Sequence, residues 1–186
     1  NFLLSLLIAR GVPMILMGDE IGRSQGGNNN SWCQNNLLGW MNWDHSQQDV
    51  ELLNFFKYVI NVRKKLIKIF NPSSLLNNQN HENIPKYYWH GTNLDIPDWS
   101  SWSHTIAFSI NKGKTNPLIW IGLNAYSENI DFPLPECNYN WLKIVDTSMS
   151  EISKPSIVSE KSVLVNNRSS VLIISEEIFG TKNNIF

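Results

Sequence analysis

The 186-residue chain has little charge, little cysteine and no long apolar run. Each shortage removes a class of function. Only 17% of residues are charged and the net charge is -1. The one uninterrupted basic run is Arg63, Lys64 and Lys65, so there is no electrostatic footprint for a nucleic-acid partner. The longest apolar stretch, Phe2 to Ile8, is broken by Ser5 and is far too short to cross a bilayer. It lacks a charged leader and a small-residue cleavage site, so it does not read as a secretory signal, and no membrane partner is expected. Two cysteines, Cys33 and Cys137, cannot make a disulfide scaffold or a four-cysteine zinc site. They fit a reducing compartment, and a cytoplasmic location is expected. His45, His81, His90 and His104 are isolated from any partner at ligand spacing, so no metal is expected and each reads as a surface or hydrogen-bonded core histidine. There is no nucleophile elbow, phosphate loop or dinucleotide fingerprint. Gly22 to Gly27 is glycine-rich but lacks the lysine and helix start of a phosphate loop, and no cofactor is expected.

What the chain does have is apolar and aromatic substance. Hydrophobic residues make up 42%, which suits a packed, soluble chain rather than a disordered one. Eight tryptophans and 25 asparagines stand out. The asparagines are spread through every kind of segment, so any single one is weak evidence. Asn1 is not a methionine, and Asn1 to Arg10 reads as helix interior with no cap before it, so the chain is expected to be a piece of a longer one.

Phe2, Leu3, Leu6, Leu7 and Ile8 share one helical face, with Gly11 as the stop. Val12 to Met17 lacks two-residue alternation and is expected to be a strand buried on both faces, as parallel strands are. Gly18, Asp19 and Glu20 follow at its C-terminal end. Helix, turn, buried strand and polar residues in that order are characteristic of α/β barrels, whose active face lies at the strand C-termini. Ile21 to His45 has no periodicity but holds Trp32, Trp40 and Trp43, which suggests a long ordered loop on that face. Ser46 to Asp49 forms a capping-box pattern ahead of a helix marked by Leu52, Phe55, Phe56, Val59, Val62, Leu66 and Ile69. The basic group at its end, Arg63, Lys64, Lys65 and Lys68, reads as a solvated helix terminus favoured by the dipole. Residues 71–86 read as a linker. Beyond them, His104 to Ile110, Leu118 to Leu123, Trp141 to Val145, Val163 to Val165 and Val171 to Ile174 are short β-rich runs separated by turn clusters, the pattern of an antiparallel sandwich or barrel.

Glycoside hydrolysis needs two carboxylates about 5–5.5 Å apart for retention or about 6.5–9.5 Å for inversion. Asp19 and Glu20 are neighbours whose side chains diverge, Asp49 belongs to the cap, and Asp44 closes the loop. No catalytic pair is assigned. One of Asp19 and Glu20 could contact substrate, and the sequence leaves that open beside a structural role. Asparagine donates and accepts at once, matching vicinal hydroxyls, and an indole offers a flat face to a sugar ring. Asn28, Asn29, Asn30 and Trp32 together suit a sugar subsite, or a loop whose amides satisfy their own backbone.

Gly11 to Asn36, with Gly-Val-Pro-Met-Ile-Leu-Met-Gly-Asp-Glu leading into Arg23-Ser-Gln-Gly-Gly-Asn-Asn-Asn30, closely resembles the end of the catalytic barrel in isoamylases and bacterial glycogen debranching enzymes of the α-amylase superfamily, glycoside hydrolase family 13. The Trp-x-x-Trp-Asp ending at Asp44, Trp89-His90-Gly91, Asp98-Trp99, and His104 to Phe108 extend the resemblance. So do Leu142 to Thr147 and Arg168 to Leu172. The resemblance implies an α/β plus all-β chain: the last strand and flanking helices of a (β/α)8 TIM barrel over 1–70, a linker over 71–86, and a C-terminal antiparallel β-sandwich over 87–186. It implies hydrolysis of α-1,6 branch linkages in glycogen or a related branched α-glucan, with all three catalytic carboxylates upstream of Asn1. The segment would shape the substrate cleft through Asp19, Glu20, Arg23, Asn28, Asn29, Asn30 and Trp32 and would be inactive alone. A non-catalytic glucan-binding or subunit-contact module is the alternative, with Trp99 and Trp102 exposed and Trp120 and Trp141 in the core. Oligomeric state is left open.

Overall fold

The computed structural model describes residues 1–70, 85–112, 116–149, 152 and 154–180. The expected linker falls mostly on residues 71–84, outside the described residues, as does the tail from 181 onward.

Helix α1 (Phe2–Ile8) is short and leads through an irregular stretch to a 3₁₀ turn at Asp19–Ile21. Helix α2 (Gln47–Phe70) opens on the expected capping box. The Ser46 N–H donates to the Asp49 carboxylate at 2.8 Å, and the Asp49 N–H donates to the Ser46 hydroxyl at 3.3 Å. Two otherwise orphaned donors at the helix start are thereby satisfied. Hydrogen bonding from the Ser46 N–H, and then from its side chain, holds the Asp49 carboxyl below its ordinary pKa.

Among the described residues eight strands follow: β1 (Lys86–His90), β2 (Thr105–Lys112), β3 (Asn116–Asn124), β4 (Ile130–Pro133), β5 (Trp141–Asp146), β6 (Ser156–Val158), β7 (Ser162–Val165) and β8 (Ser169–Ser175). A short helix α3 (Glu176–Gly180) closes the described chain. Six strands form one antiparallel sheet in the order β1-β2-β3-β8-β5-β6, and β4 pairs with β7 in a separate two-stranded sheet.

Alternation explains how that large sheet is buried on both sides. Ile119, Ile121, Leu172 and Ile174 point to a core shared with Leu4, Leu7, Val59, Val62 and Leu66 of the two helices. Trp120, Val171 and Ile173, one residue out of step, point to the opposite core with Phe132 of β4 and Val163 and Val165 of β7. The central strands therefore read as continuous apolar runs although the sheet is antiparallel, because a layer covers each face. Each fully buried aliphatic side chain contributes about 1.5–3 kcal/mol.

Helix α1 is anchored at both ends. The Asn1 side-chain amide donates to the Arg168 carbonyl at 2.6 Å. At the other end Arg63, only 7% exposed, donates to the carbonyls of Leu7, Ala9 (2.9 Å) and Gly11. This corrects the reading of the basic group as a solvated terminus. Lys64 and Lys65 are exposed, but Arg63 is an internal clamp on the C-terminal carbonyls of α1.

Val12 to Met17 also differs from expectation. It is not a strand buried on both faces: Val12 is 94% exposed, Met14 89% and Leu16 58%. Pro13 and Ile15 are partly covered, lying with Leu7, Ile60 and Arg63 around one shallow hollow. The burial alternates from Val12 to Leu16 and then stops, Met17 being 74% exposed, and no strand among the described residues pairs with the segment. An extended segment without neighbours leaves its backbone to solvent and cannot become a buried strand.

Candidate functional site

The Gly18–Ile21 turn is the first polar feature after the apolar stretch. Gly18 has φ +103, which an L side chain rarely adopts, and a Cβ there would run into the Arg23 side chain. The Gly18 N–H donates to the Glu20 carboxylate at 2.8 Å, so Glu20 holds the turn it sits on. Asp19 is exposed. Arg23 reaches across the loop and donates to the carbonyls of Leu38 and Gly39, both at 3.0 Å. Of the anticipated contact residues, Glu20 and Arg23 thus already hold loop structure together.

The remaining loop is built from local side-chain-to-backbone turns. The Asn30 N–H donates to the Asn28 side-chain oxygen, the Leu38 N–H to that of Asn36, and the Asp44 N–H to that of Asn42. The Trp40 indole N–H donates to the Asn35 side chain at 2.9 Å. Such turns let a long segment satisfy its backbone without strands or helices. They leave Asn29 and Asn30 exposed, and Trp32 85% exposed with an open indole face. The structure therefore divides the anticipated set. Glu20, Arg23 and Asn28 shape the loop, while Asp19, Asn29, Asn30 and Trp32 are displayed by it.

The second displayed aromatic group lies on the sandwich. Trp99 and Trp102 are exposed, and Trp120 and Trp141 are buried. Trp99 packs edge-on against Trp89 at 5.5 Å between centroids, and Trp89 meets Phe108 at 5.2 Å. From sequence Trp89 entered only as part of the family motif, not as the partner of Trp99. The signal was the pairing of Trp89 with Phe108 across β1 and β2, which a sequence without register does not show.

The described histidines do not gather around an ion, and no cluster of metal-ligating side chains occurs among the described residues. His90 is a buried hydrogen-bonded core residue. Its Nδ1 accepts from the Asp95 N–H at 3.1 Å, so its Nε2 carries the proton toward the Ser109 hydroxyl at 3.0 Å. Burial lowers the pKa of this imidazole, against the opposing pull of the Asp95 carboxylate.

Residues 88–171 match the family model described as Isoamylase 1-3, C-terminal. Over those residues the chain is similar to the C-terminal domain of isoamylases. The isoamylase likeness is not confined to that domain. Isoamylase 1, chloroplastic, from Oryza sativa subsp. japonica is 34% identical over 148 residues, covering 79% of this chain, so the similarity reaches well upstream of residue 88. The glycogen debranching enzyme of Dickeya chrysanthemi is 33% identical over 135 residues, 72% of this chain. The chain spans 17% of the rice protein and 19% of the Dickeya enzyme. Among solved structures, the pullulanase from Bacillus acidopullulyticus superposes with a TM-score of 0.67 over 92% of this chain and 19% of its own. At 17% identity that likeness concerns the fold alone.

Proposed function

We propose that this chain is the cleft-lining and C-terminal part of an isoamylase-type debranching hydrolase, acting on the α-1,6 branch linkages of glycogen or a related α-glucan. In this reading residues 1–70 complete a (β/α)8 barrel, 71–86 connect, and 87–186 form the sandwich. The observation that carries it is the two-sidedness of Val12–Met17. Ile15 packs against the helices and Pro13 lies beside Leu7 and Ile60, while Val12, Met14, Leu16 and, at the end of the run, Met17 present bare apolar side chains. A barrel strand has this division, with one side against the helical ring and the other in the barrel interior. The names of relatives, isoamylase and glycogen debranching enzyme, support the substrate class.

The division of labour follows from the carboxylates. Glu20 accepts from the Gly18 N–H and Asp49 from the Ser46 N–H at the helix cap, so both carboxylates serve the local backbone, and the neighbouring Asp19 and Glu20 do not make an opposed pair. Chemistry would come from groups outside these 186 residues, while Asn29, Asn30 and Trp32 would meet the glucan. A cytoplasmic setting belongs to the same proposal, with a plastid as the alternative, since the rice relative is named chloroplastic. No helix among the described residues is long and apolar enough to cross a membrane.

The test is an exchange. The chain alone, incubated with glycogen, should release no reducing ends. Substituted for the matching segment of rice isoamylase 1, it should support debranching. Release by the chain alone, or an inactive but folded chimera, contradicts the reading.

A further inference from the structure

The connection between β1 and β2 borders a cleft of about 520 Å³ that shares no residue with the Gly22–His45 loop. Trp99 forms one wall, 65% exposed and braced edge-on by Trp89. Asp98, His104 and Arg168 bring polar groups to the same cleft.

Two of these side chains are poised with unused capacity. His104 Nδ1 lies 2.6 Å from the Trp102 carbonyl, which can only accept, so Nδ1 carries the proton and the exposed Nε2 is an acceptor. Arg168 has φ +49, a left-handed conformation uncommon for a residue with a side chain. Its backbone is held on both sides, the N–H donating to the Tyr126 carbonyl at 3.0 Å and the carbonyl accepting from Asn1 at 2.6 Å. Non-glycine residues kept in such conformations concentrate at functional sites. By contrast, the Asn124 amide at the cleft floor is fully used by backbone groups of Glu128, Val165 and Asn166.

The chemistry of the lining selects the ligand class. The Arg168 guanidinium shares the cleft with the Asp98 carboxylate, and burial lowers the pKa of the Asn1 terminal amine beside them, so the positive field offered to an anion is weak. A flat indole beside a guanidinium donor and an imidazole nitrogen instead suits a ring with one apolar face and hydroxyls on its rim. We propose that this cleft is a second glycan site, in which Trp99 stacks on a pyranose while Arg168 and His104 Nε2 bind its hydroxyls. That the glycan is an α-glucan rests on the debranching reading. The site would hold a neighbouring stretch of polymer and raise the local concentration of branch points at the loop.

The experiment is calorimetric titration of the 186-residue chain with maltoheptaose, in a Trp32→Ala background that removes the displayed indole of the loop. Binding is expected, and Trp99→Ala should weaken it about tenfold. Arg168→Gly should weaken it about fivefold, as for a lost charge-assisted hydrogen bond, while leaving the thermal midpoint unchanged or higher, because glycine adopts φ +49 freely. Since that variant relaxes the backbone, it reports on binding even if Trp99→Ala fails to fold. No heat on titration of the Trp32→Ala chain overturns the site, and so does affinity that survives both Trp99→Ala and Arg168→Gly. Trp99-dependent binding of cellohexaose as tight as that of maltoheptaose keeps the sugar site and counts against the α-glucan reading instead.

Discussion

Val171 to Ile174 and Val12 to Met17 are both unbroken apolar runs, and they end in opposite environments. In β8 every residue from Val171 to Ile174 is fully buried, with β3 on one side, β5 on the other, and a layer over each face. In the N-terminal run Val12 and Met14 stand almost wholly in solvent. Local composition is therefore not what buries a strand. Burial requires partners for the backbone and cover for both faces, and only the sandwich supplies them within these residues. One region is self-sufficient; the other has half of its environment.

That contrast can be broken at its strongest point first. Trp120 is fully buried against Phe132, and Trp120→Ala should cost about 3–5 kcal/mol and abolish cooperative unfolding of the sandwich. Met14→Ala should change stability by less than about 0.5 kcal/mol, as for a surface site. Guanidinium titration of the two variants measures both, and equal effects would erase the distinction.

Arg63→Met comes next. It removes the guanidinium bonds to the carbonyls of Leu7, Ala9 and Gly11, in and just after the end of α1, one of them buried, and should cost about 2–3 kcal/mol by the same titration. A neutral result would mean that α1 docks without the clamp.

A third, smaller effect depends on pH. Burial lowers the pKa of His90 in the folded chain, so below the unfolded value of about 6.5 the unfolded chain takes up the proton first. This contribution to stability is complete above that pH and diminishes as pH falls toward the lowered folded value. The thermal midpoint of the parent chain should decline between pH 7 and 5 more steeply than that of His90→Gln. Parallel declines would remove His90 from the account.

At the helix cap, Ser46→Ala removes one reciprocal bond and should cost about 1 kcal/mol, read as lost helicity at the start of α2.

Legibility from sequence followed the same divide. The strands Thr105–Lys112, Asn116–Asn124, Trp141–Asp146, Ser162–Val165 and Ser169–Ser175 lie where β-rich runs were bounded by turns, and α2 lies where a cap preceded apolar residues at helical spacing. Each of those signals is local. Three strands were missed: Lys86–His90, whose first residue had been assigned to the linker, and Ile130–Pro133 and Ser156–Val158, which are only four and three residues long and acquire a pattern only from their pairing with β7 and β5. Arg63 was misjudged because its partners, the carbonyls of α1, lie more than fifty positions away. Among the anticipated contact residues, nothing local distinguished Arg23 and Asn28, which hold the loop's own shape, from Asn29, Asn30 and Trp32, which it displays.

The most direct test of the central claim is amide hydrogen exchange of Val12 to Met17, compared between the chain alone and the active chimera with rice isoamylase 1. In the chain alone these amides should exchange at close to unprotected rates while Val171 to Ile174 stay protected, and in the chimera both runs should be protected together. Strong protection of Val12 to Met17 in the chain alone, or continued rapid exchange there in a chimera that debranches glycogen, would contradict the claim that this run is one strand of a barrel.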